Sequence, residues 1–213
     1  MKGIITGDII GSTSIPAVQR QLLPDAVIQA AADLERISPL KCELFRGDSF
    51  QVMVEQPELS LTIAVLMRAG LKRRTPHDSK SAWDARMAVG VGDVDYESEH
   101  LTVSDGEAFH YSGREFDKLG KRNLAVLTRW DEVNDELSVS TSFADDIING
   151  WTVSQAEAVY LSLGEGMAQK DIALQLGKTK QNVSKLLASA KEPLISLYLD
   201  RFVQIIHSKE KGL

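Results

Sequence analysis

Residues Lys2–Thr13 read KGIITGDIIGST, and how this stretch is understood decides the fold. Ile4, Ile5, Ile9 and Ile10 are β-branched and favour a strand, yet Asp8 interrupts them and Gly11-Ser12-Thr13 follows. A strand that ends on a carboxylate and then turns through glycine brings an acid, free backbone amides and two hydroxyls to one edge of a sheet. Residues 43–55, ELFRGDSFQVMVE, repeat the theme: two strand-like runs flank Gly47-Asp48-Ser49, which has hairpin-turn chemistry, so Asp48 stands at the tip. Between them, Pro24–Ile37 sets Val27, Ala30, Ala31 and Leu34 at helical spacing, with proline in the first turn. A second helix fits residues 57–74, a strand 85–94, a short helix 111–121 and a last strand 124–130. The order βαββαβ predicts an α+β, ferredoxin-like domain in which the first and third strands are neighbours at the sheet centre.

That topology brings Asp8 and Asp48 onto adjacent strands. Two carboxylates at such range repel unless a cation or a proton intervenes. Magnesium, or manganese, is the natural occupant, held by carboxylates together with phosphate oxygens. Gly11, Ser12, Thr13 and Gly47 then offer amides and hydroxyls on which a nucleoside triphosphate can rest. Each acid also has a plainer reading: Asp8 as the cap of the turn after its strand, Asp48 as an ordinary hairpin residue.

Composition narrows the class. The 213 residues are 43% apolar, enough to fill a sizeable core. The single cysteine, Cys42, excludes an internal disulfide, and no stretch reaches the roughly 18 apolar residues of a membrane span. Strand-like sequence follows Met1-Lys2 directly, without an apolar leader, so the expected location is cytoplasmic. Charge is uneven along the chain. Residues 1–150 hold 16 Lys and Arg against 24 Asp and Glu, a net of −8, whereas residues 151–213 hold 8 against 6, a net of +2. An acidic body (residues 1–148) and a mildly basic tail (149–213) suggest two domains with different partners.

GDIIGST resembles the first metal motif of class III nucleotidyl cyclases, and FRGDSF resembles their second and, more loosely, the hairpin signature of diguanylate cyclases. RMAVGVGDV followed by DGEAFHYSGREF is similar to the cyclase strand and the helix that ends in a catalytic arginine. GDII, GDSFQ and DGEAFH, in this order, resemble the SatD family, small bacterial proteins with a cyclase-related core. The resemblance implies that Asp8 and Asp48 are metal ligands and that Arg114 steadies the charged phosphoryl group. Arg114 is also a surface cation in the plainer reading, and His110 an ordinary interfacial histidine. His110 is the second catalytic candidate; it stands four residues before Arg114, in a helix motif where cyclases usually carry an asparagine. Leu44, Phe45 and Arg46 occupy the run where a base-reading lysine is expected, and Ser49 replaces the acid that diguanylate cyclases place after their aspartate.

The tail carries a different pattern. Residues 152–191 divide into three helices: Ser154–Leu163, with Ser154 and Glu157 as a capping box, then Ala168–Leu176, and Thr179 to about Lys191. Gly177 ends the second and Thr179 caps the third, giving the short turn of a helix-turn-helix whose core is Ile172, Ala173, Leu176, Val183, Leu186 and Leu187. The pattern resembles sigma-factor-like and response-regulator-like DNA-binding domains. By that resemblance the third helix enters the major groove, with Lys178, Thr179, Lys180, Gln181, Ser184 and Lys185 facing DNA. A helical hairpin used only for protein contacts is the alternative. Beyond it, Leu194, Leu197, Tyr198, Phe202, Ile205 and Ile206 form an apolar stripe that must be covered by the body or by a second chain. A homodimer suits both palindromic DNA and a cyclase-type site completed by Arg114 in trans. The expected function is a DNA-binding regulator whose body senses nucleotide and Mg²⁺. An active nucleotidyl cyclase or nucleotide polymerase, and a ligand-free dimerisation scaffold, are the rivals.

Overall fold

The computed structural model describes residues 1–45 and 47–212. Arg46, in the run where a base-reading lysine is expected, lies outside them. The body holds β1 (Lys2–Ile9), α1 (Ala17–Arg20), α2 (Leu23–Ala32), β2 (Leu40–Phe45), β3 (Ser49–Val54), α3 (Ser60–Arg73), β4 (Ala85–Gly92), α4 (Glu107–Asp117), β5 (Leu124–Thr128) and α5 (Asp131–Asn149). The tail holds α6 (Val153–Val159), α7 (Gln169–Gln175), α8 (Lys180–Ser189) and α9 (Glu192–Glu210). No helix among the described residues is long and apolar enough to cross a membrane.

One sheet runs β2-β3-β1-β4-β5, with β1 antiparallel to both β3 and β4, and β5 parallel to β4. The expected βαββαβ unit is therefore present, extended by β5 and α5. Side-chain alternation separates its two faces. Ile5, Ile9, Val52, Val54, Met87, Val89 and Val91 join the core formed with α2 and α3, where Val27, Leu34, Ile63 and Met67 are fully buried. The opposite face takes α4. Gly90 permits that contact: a Cβ there would lie 2.3 Å from the Ala108 carbonyl oxygen and 2.5 Å from the Ser112 nitrogen, which are backbone atoms that cannot yield. Thr6 Oγ1 then donates to Ser112 Oγ at 3.0 Å.

Several helix bounds differ from expectation. The helix expected over 24–37 stops at Ala32, and Asp33 at its end pairs with Arg73 of α3 and with Arg74 just beyond it, at 3.1 and 2.6 Å. The helix expected over 111–121 starts four residues earlier, at Glu107. In the tail the capping box is Thr152 with Gln155, not Ser154 with Glu157: the helix begins at Val153, which leaves Ser154 inside its first turn. Tyr160–Gly164 form a π turn that finishes α6. The 19-residue α5 was not anticipated at all; Val133, Leu137, Ala144 and Ile148 are its buried stripe.

Body and tail share one contiguous core that runs from Ile5 and Val89 to Ile172, Val183 and Phe202. A charged cluster lies inside it. Arg68 of α3 is fully buried; its Nε and Nη2 donate to Asp84 at 2.8 and 2.6 Å, and its Nη1 donates to Asp145 of α5 at 2.9 Å. Lys72 Nζ lies 3.0 Å from Asp84, and Asp145 accepts the Asn123 amide at the start of β5. Burial alone would raise the Asp84 carboxyl, but Arg68 and Lys72 overcome it and hold the group below its ordinary range. The stability this group contributes is complete above its unfolded pKa of about 4 and is lost as pH falls through the lower native value. Arg68→Leu leaves two buried carboxylates without their main partner and is expected to cost about 3–5 kcal/mol. Urea unfolding at pH 7 measures this, and a loss below about 1 kcal/mol would show that the cluster is not a structural anchor.

Candidate functional site

Asp8 is the penultimate residue of β1 and sits opposite Ser49 of β3 and Arg86 of β4. The Ile9 amide donates to the Asp48 carbonyl at 3.1 Å, so the hairpin tip is hydrogen-bonded beside the end of β1. Gly11 turns the chain with φ 63°, a left-handed conformation that glycine adopts without cost, and Ser12–Ser14 form one 3₁₀ turn. Ser12 Oγ donates to Asp48 Oδ2, clamping turn and hairpin together. Between them opens a cavity of about 520 Å³ lined by Ser12, Thr13, Gly47 and Asp48, with Arg20, Leu23 and Pro24 closing the far side.

The two acids thus stand on adjacent segments, Asp8 at the end of β1 and Asp48 at the hairpin tip bonded beside it. Asp8 Oδ2 accepts from Arg86 Nη2 at 3.0 Å, while Asp8 Oδ1 is buried and has no partner. Burial pushes the Asp8 carboxyl above its ordinary range and Asp48 adds to the rise, with Arg86 opposing both. A desolvated acid with an orphaned oxygen, within electrostatic reach of a second acid that lines a hydroxyl-bearing cavity, fits a hard divalent ion with phosphate oxygens. Asp8 and Asp48 would hold the ion, which would supply charge neutralisation for a polyphosphate.

Two cations here escaped the sequence reading. Arg86 reaches Asp8 only through the β1–β4 register, and its guanidinium carbon stands 5.0 Å from the Phe116 ring centre. Arg20 lines the cavity, its Nη2 donating to the Thr13 and Ile15 carbonyls at 2.7 and 2.9 Å. A basic residue soon after a glycine turn was the available signal for Arg20; only strand pairing identifies Arg86.

The α4 residues are placed elsewhere. His110 Nε2 lies 3.0 Å from Asp105 Oδ1, in the loop ahead of α4, and is not brought to the carboxylates. Arg114 is exposed and has no hydrogen bond or ion pair among the described residues. Two residues after the sheet-facing Ser112, it falls on the far side of the helix, about 200° around. Within one chain it points away from Asp8.

In the tail, α7 and α8 are joined by a tight turn. The Lys178 amide donates to the Ala173 carbonyl at 2.8 Å and Gly177 to Leu174 at 3.2 Å, the Schellman pattern. Thr179 Oγ1 caps α8 by accepting from the Asn182 amide at 3.2 Å. Ile172, Ala173, Val183 and Leu187 are buried, as expected, with Leu176 and Leu186 packed at the edge. Thr179, Lys180, Gln181, Ser184 and Lys185 are exposed on α8 and at its cap, with Lys178 half-buried. Most of the α9 stripe is covered by the chain itself: Tyr198, Phe202, Ile205 and Ile206 are buried, and Tyr198 Oη lies 2.7 Å from Thr141 Oγ1 of α5. Leu194 and Leu197 are the correction, since they lie off that line and stay 56% and 66% exposed, near Phe143.

No family model matches this sequence, and no curated protein does. Solved structures do resemble the chain in part. A bacterial light-regulated adenylyl cyclase aligns at 13% identity and a TM-score of 0.43, over 59% of this chain and 74% of that one. Adenylate cyclases from Trypanosoma brucei, solved in their monomeric state, align at 16% identity and 0.38, over 54% and 68%. The active GGEEF domain of a diguanylate cyclase from Vibrio cholerae aligns at 12% identity and 0.39, over 59% and 81%.

Because its native pKa is raised, Asp8 favours folding below its unfolded pKa, and that contribution is lost as pH rises through the native value. Asp8→Asn is therefore expected to raise the melting temperature of the metal-free protein more at pH 7 than at about pH 2.5, well below the ordinary Asp pKa of about 4, where protonation removes most of the charge that Asp8 would carry. An unchanged difference between the two pH values would mean that Asp8 carries no such strain.

Proposed function

We propose that the body binds a nucleoside triphosphate together with Mg²⁺ or Mn²⁺, the ion at Asp8 and Asp48 and the phosphates over Gly11, Ser12, Thr13 and Gly47. The observation that carries this reading is the convergence of two acids at the end of β1: Asp8, with an orphaned buried oxygen and within electrostatic reach of Asp48, and Asp48 itself, which lines a cavity with hydroxyls and Arg20. Arg20 supplies a cation that a polyphosphate needs beyond its metal. The order of GDII, GDSFQ and DGEAFH supports a SatD-type body.

Calorimetry with each triphosphate in Mg²⁺ tests this directly. Wild type is expected to bind at least one triphosphate, and Asp48→Asn or Asp8→Asn to weaken binding by at least about tenfold, or roughly 1.4 kcal/mol. No uptake of metal or nucleotide by wild type would select the scaffold reading.

Two activities build on that binding. Phosphoryl transfer of the cyclase or polymerase kind is favoured by the convergence of carboxylates and arginines, since such chemistry is mostly positioning and charge stabilisation. In this reading Arg114, turned outward on α4, acts on the site of a second copy, and the working form is a homodimer. A product that appears with triphosphate and Mn²⁺ and vanishes in Asp48→Ala identifies the enzyme.

The other activity is regulation of DNA binding, favoured by the exposed Lys180, Gln181, Ser184 and Lys185 on a capped helix. The tail docks on the body where the Arg73 guanidinium stacks 3.9 Å from the Tyr160 ring centre, so ligand-linked movement has a route between them. Ligand control requires the nucleotide to favour one arrangement over another. Lys180→Ala is expected to weaken binding to all DNA sequences alike and to reduce the salt slope by about 1. DNA affinity unaltered by every triphosphate would remove the coupling, and absence of DNA binding at low salt would remove the regulator.

A further inference from the structure

At the opposite end of β3 from Asp8, the chain makes a 3₁₀ turn, Pro57–Leu59, against which the last turns of α9 pack. His207 and Glu210 are three apart on α9 and so share one side of the helix. Glu58 faces them from the turn. One ligand atom from each of the three side chains lies within 4.8 Å of the others.

The setting of these groups separates them from the acids around them. Glu55 pairs with Lys2 at 2.8 Å, Glu132 with Lys209 at 2.6 Å and Glu136 with Arg201 at 2.7 Å. Among the described residues, the side chains of Glu58, His207 and Glu210 make no hydrogen bond or ion pair. Two carboxylates held this close repel, and a cation shared with the His207 imidazole relieves that repulsion. We propose that Glu58, His207 and Glu210 form a second divalent-metal site, of zinc type, that ties the end of α9 to the turn entering α3.

The donor set selects the ion. An imidazole nitrogen with two carboxylates suits Zn²⁺ and its transition-metal neighbours, whereas Mg²⁺ and Ca²⁺ take oxygen donors. Zinc about 2.1 Å from each donor in a tetrahedron needs donors roughly 3.4 Å apart, a closure that rotation of exposed side chains provides. Glu58 is half-buried and the other two are exposed, which leaves the fourth position to water. The site is separate from the Asp8–Asp48 pair in both place and chemistry. Its effect is mechanical: α9 supplies Ile195, Tyr198 and Phe202 to the tail's core, so an ion at its end fastens that helix to the body.

The test is zinc titration of the full chain against a chromophoric chelator, with Mg²⁺ in excess to occupy oxygen-only sites. One equivalent of Zn²⁺ is expected to bind, with at least a tenfold loss of affinity in His207→Ala and in Glu58→Gln, and none in Asp8→Asn, on the order of the effects seen for residues around metal centres. Zinc is expected to raise the melting temperature of wild type and not of His207→Ala. His207 is exposed, so that variant folds, and its metal-free melting temperature serves as the control. Zinc uptake that is absent from wild type, unchanged in both cluster variants, or abolished by Asp8→Asn overturns the proposal.

Discussion

The fully buried guanidinium of Arg68 is the constraint on which the arrangement of this protein depends. A cation taken wholly out of water is tolerable only where its hydrogen-bond donors meet acids of matching geometry. Arg68 meets Asp84 just before β4, and Asp145 and Asn149 on α5, so three distant segments must converge before the charge is satisfied. Asp145 in turn accepts the Asn123 amide and thereby sets where β5 begins. Helix α5 cannot leave the body without exposing that charge set, and α9, packed on α5 through Tyr198 and Thr141, is held with it.

With that frame in place, the sheet does the rest at its other end. Because β1 pairs antiparallel on both sides, Asp8 is flanked at once by the hairpin tip and by the first turn of β4. Acid, counter-charge and hydroxyls therefore arrive from four separate segments, namely the end of β1, the turn after it, the hairpin and β4. Glu43 and Gln51 occupy the same sheet face farther along, and the Gln51 side-chain oxygen is another buried acceptor left without a partner. That face is less completely covered by its own chain than the face under α2 and α3, whose side chains are closed into the main core.

The tail is joined to this body rather than hung from it. Trp151 is buried and donates its indole N–H to the Ala190 carbonyl at 2.8 Å, closing the entry to α6 against the end of α8. Tyr160 is buried against α3, with Arg73 over its ring and its hydroxyl 3.5 Å from Asp33 at the end of α2. Helix α2 begins at Leu23 and Pro24 in the cavity wall and ends beside Asp33, so a single helix touches both the candidate site and the tail's foothold. A shared core and a shared helix make independent movement of the two segments costly, since packed interiors do not deform continuously.

Much of this was legible in the chain. The alternation of β-branched and polar residues in Lys2–Ile9 and Ser49–Val54, the glycine turn after Asp8 and the Gly-Asp-Ser hairpin specify strands and turns locally, because backbone preference and side-chain period act over a few residues. The same holds for Gly177 and Thr179, whose roles as stop and cap depend only on their neighbours. What escaped was whatever needed a partner distant in sequence. Helix α5 escaped because its apolar stripe of Val133, Leu137, Ala144 and Ile148 is thin, and Asp145 gains its ion-pair partner only in Arg68, 77 residues away. Arg86 became Asp8's counter-charge through strand register, and His110 was turned from the site to Asp105 by the placement of α4. Local chemistry determined the elements and the acids they carry; tertiary packing alone decided which charges would face one another, because electrostatic partnership depends on distance in space and not on order along the chain.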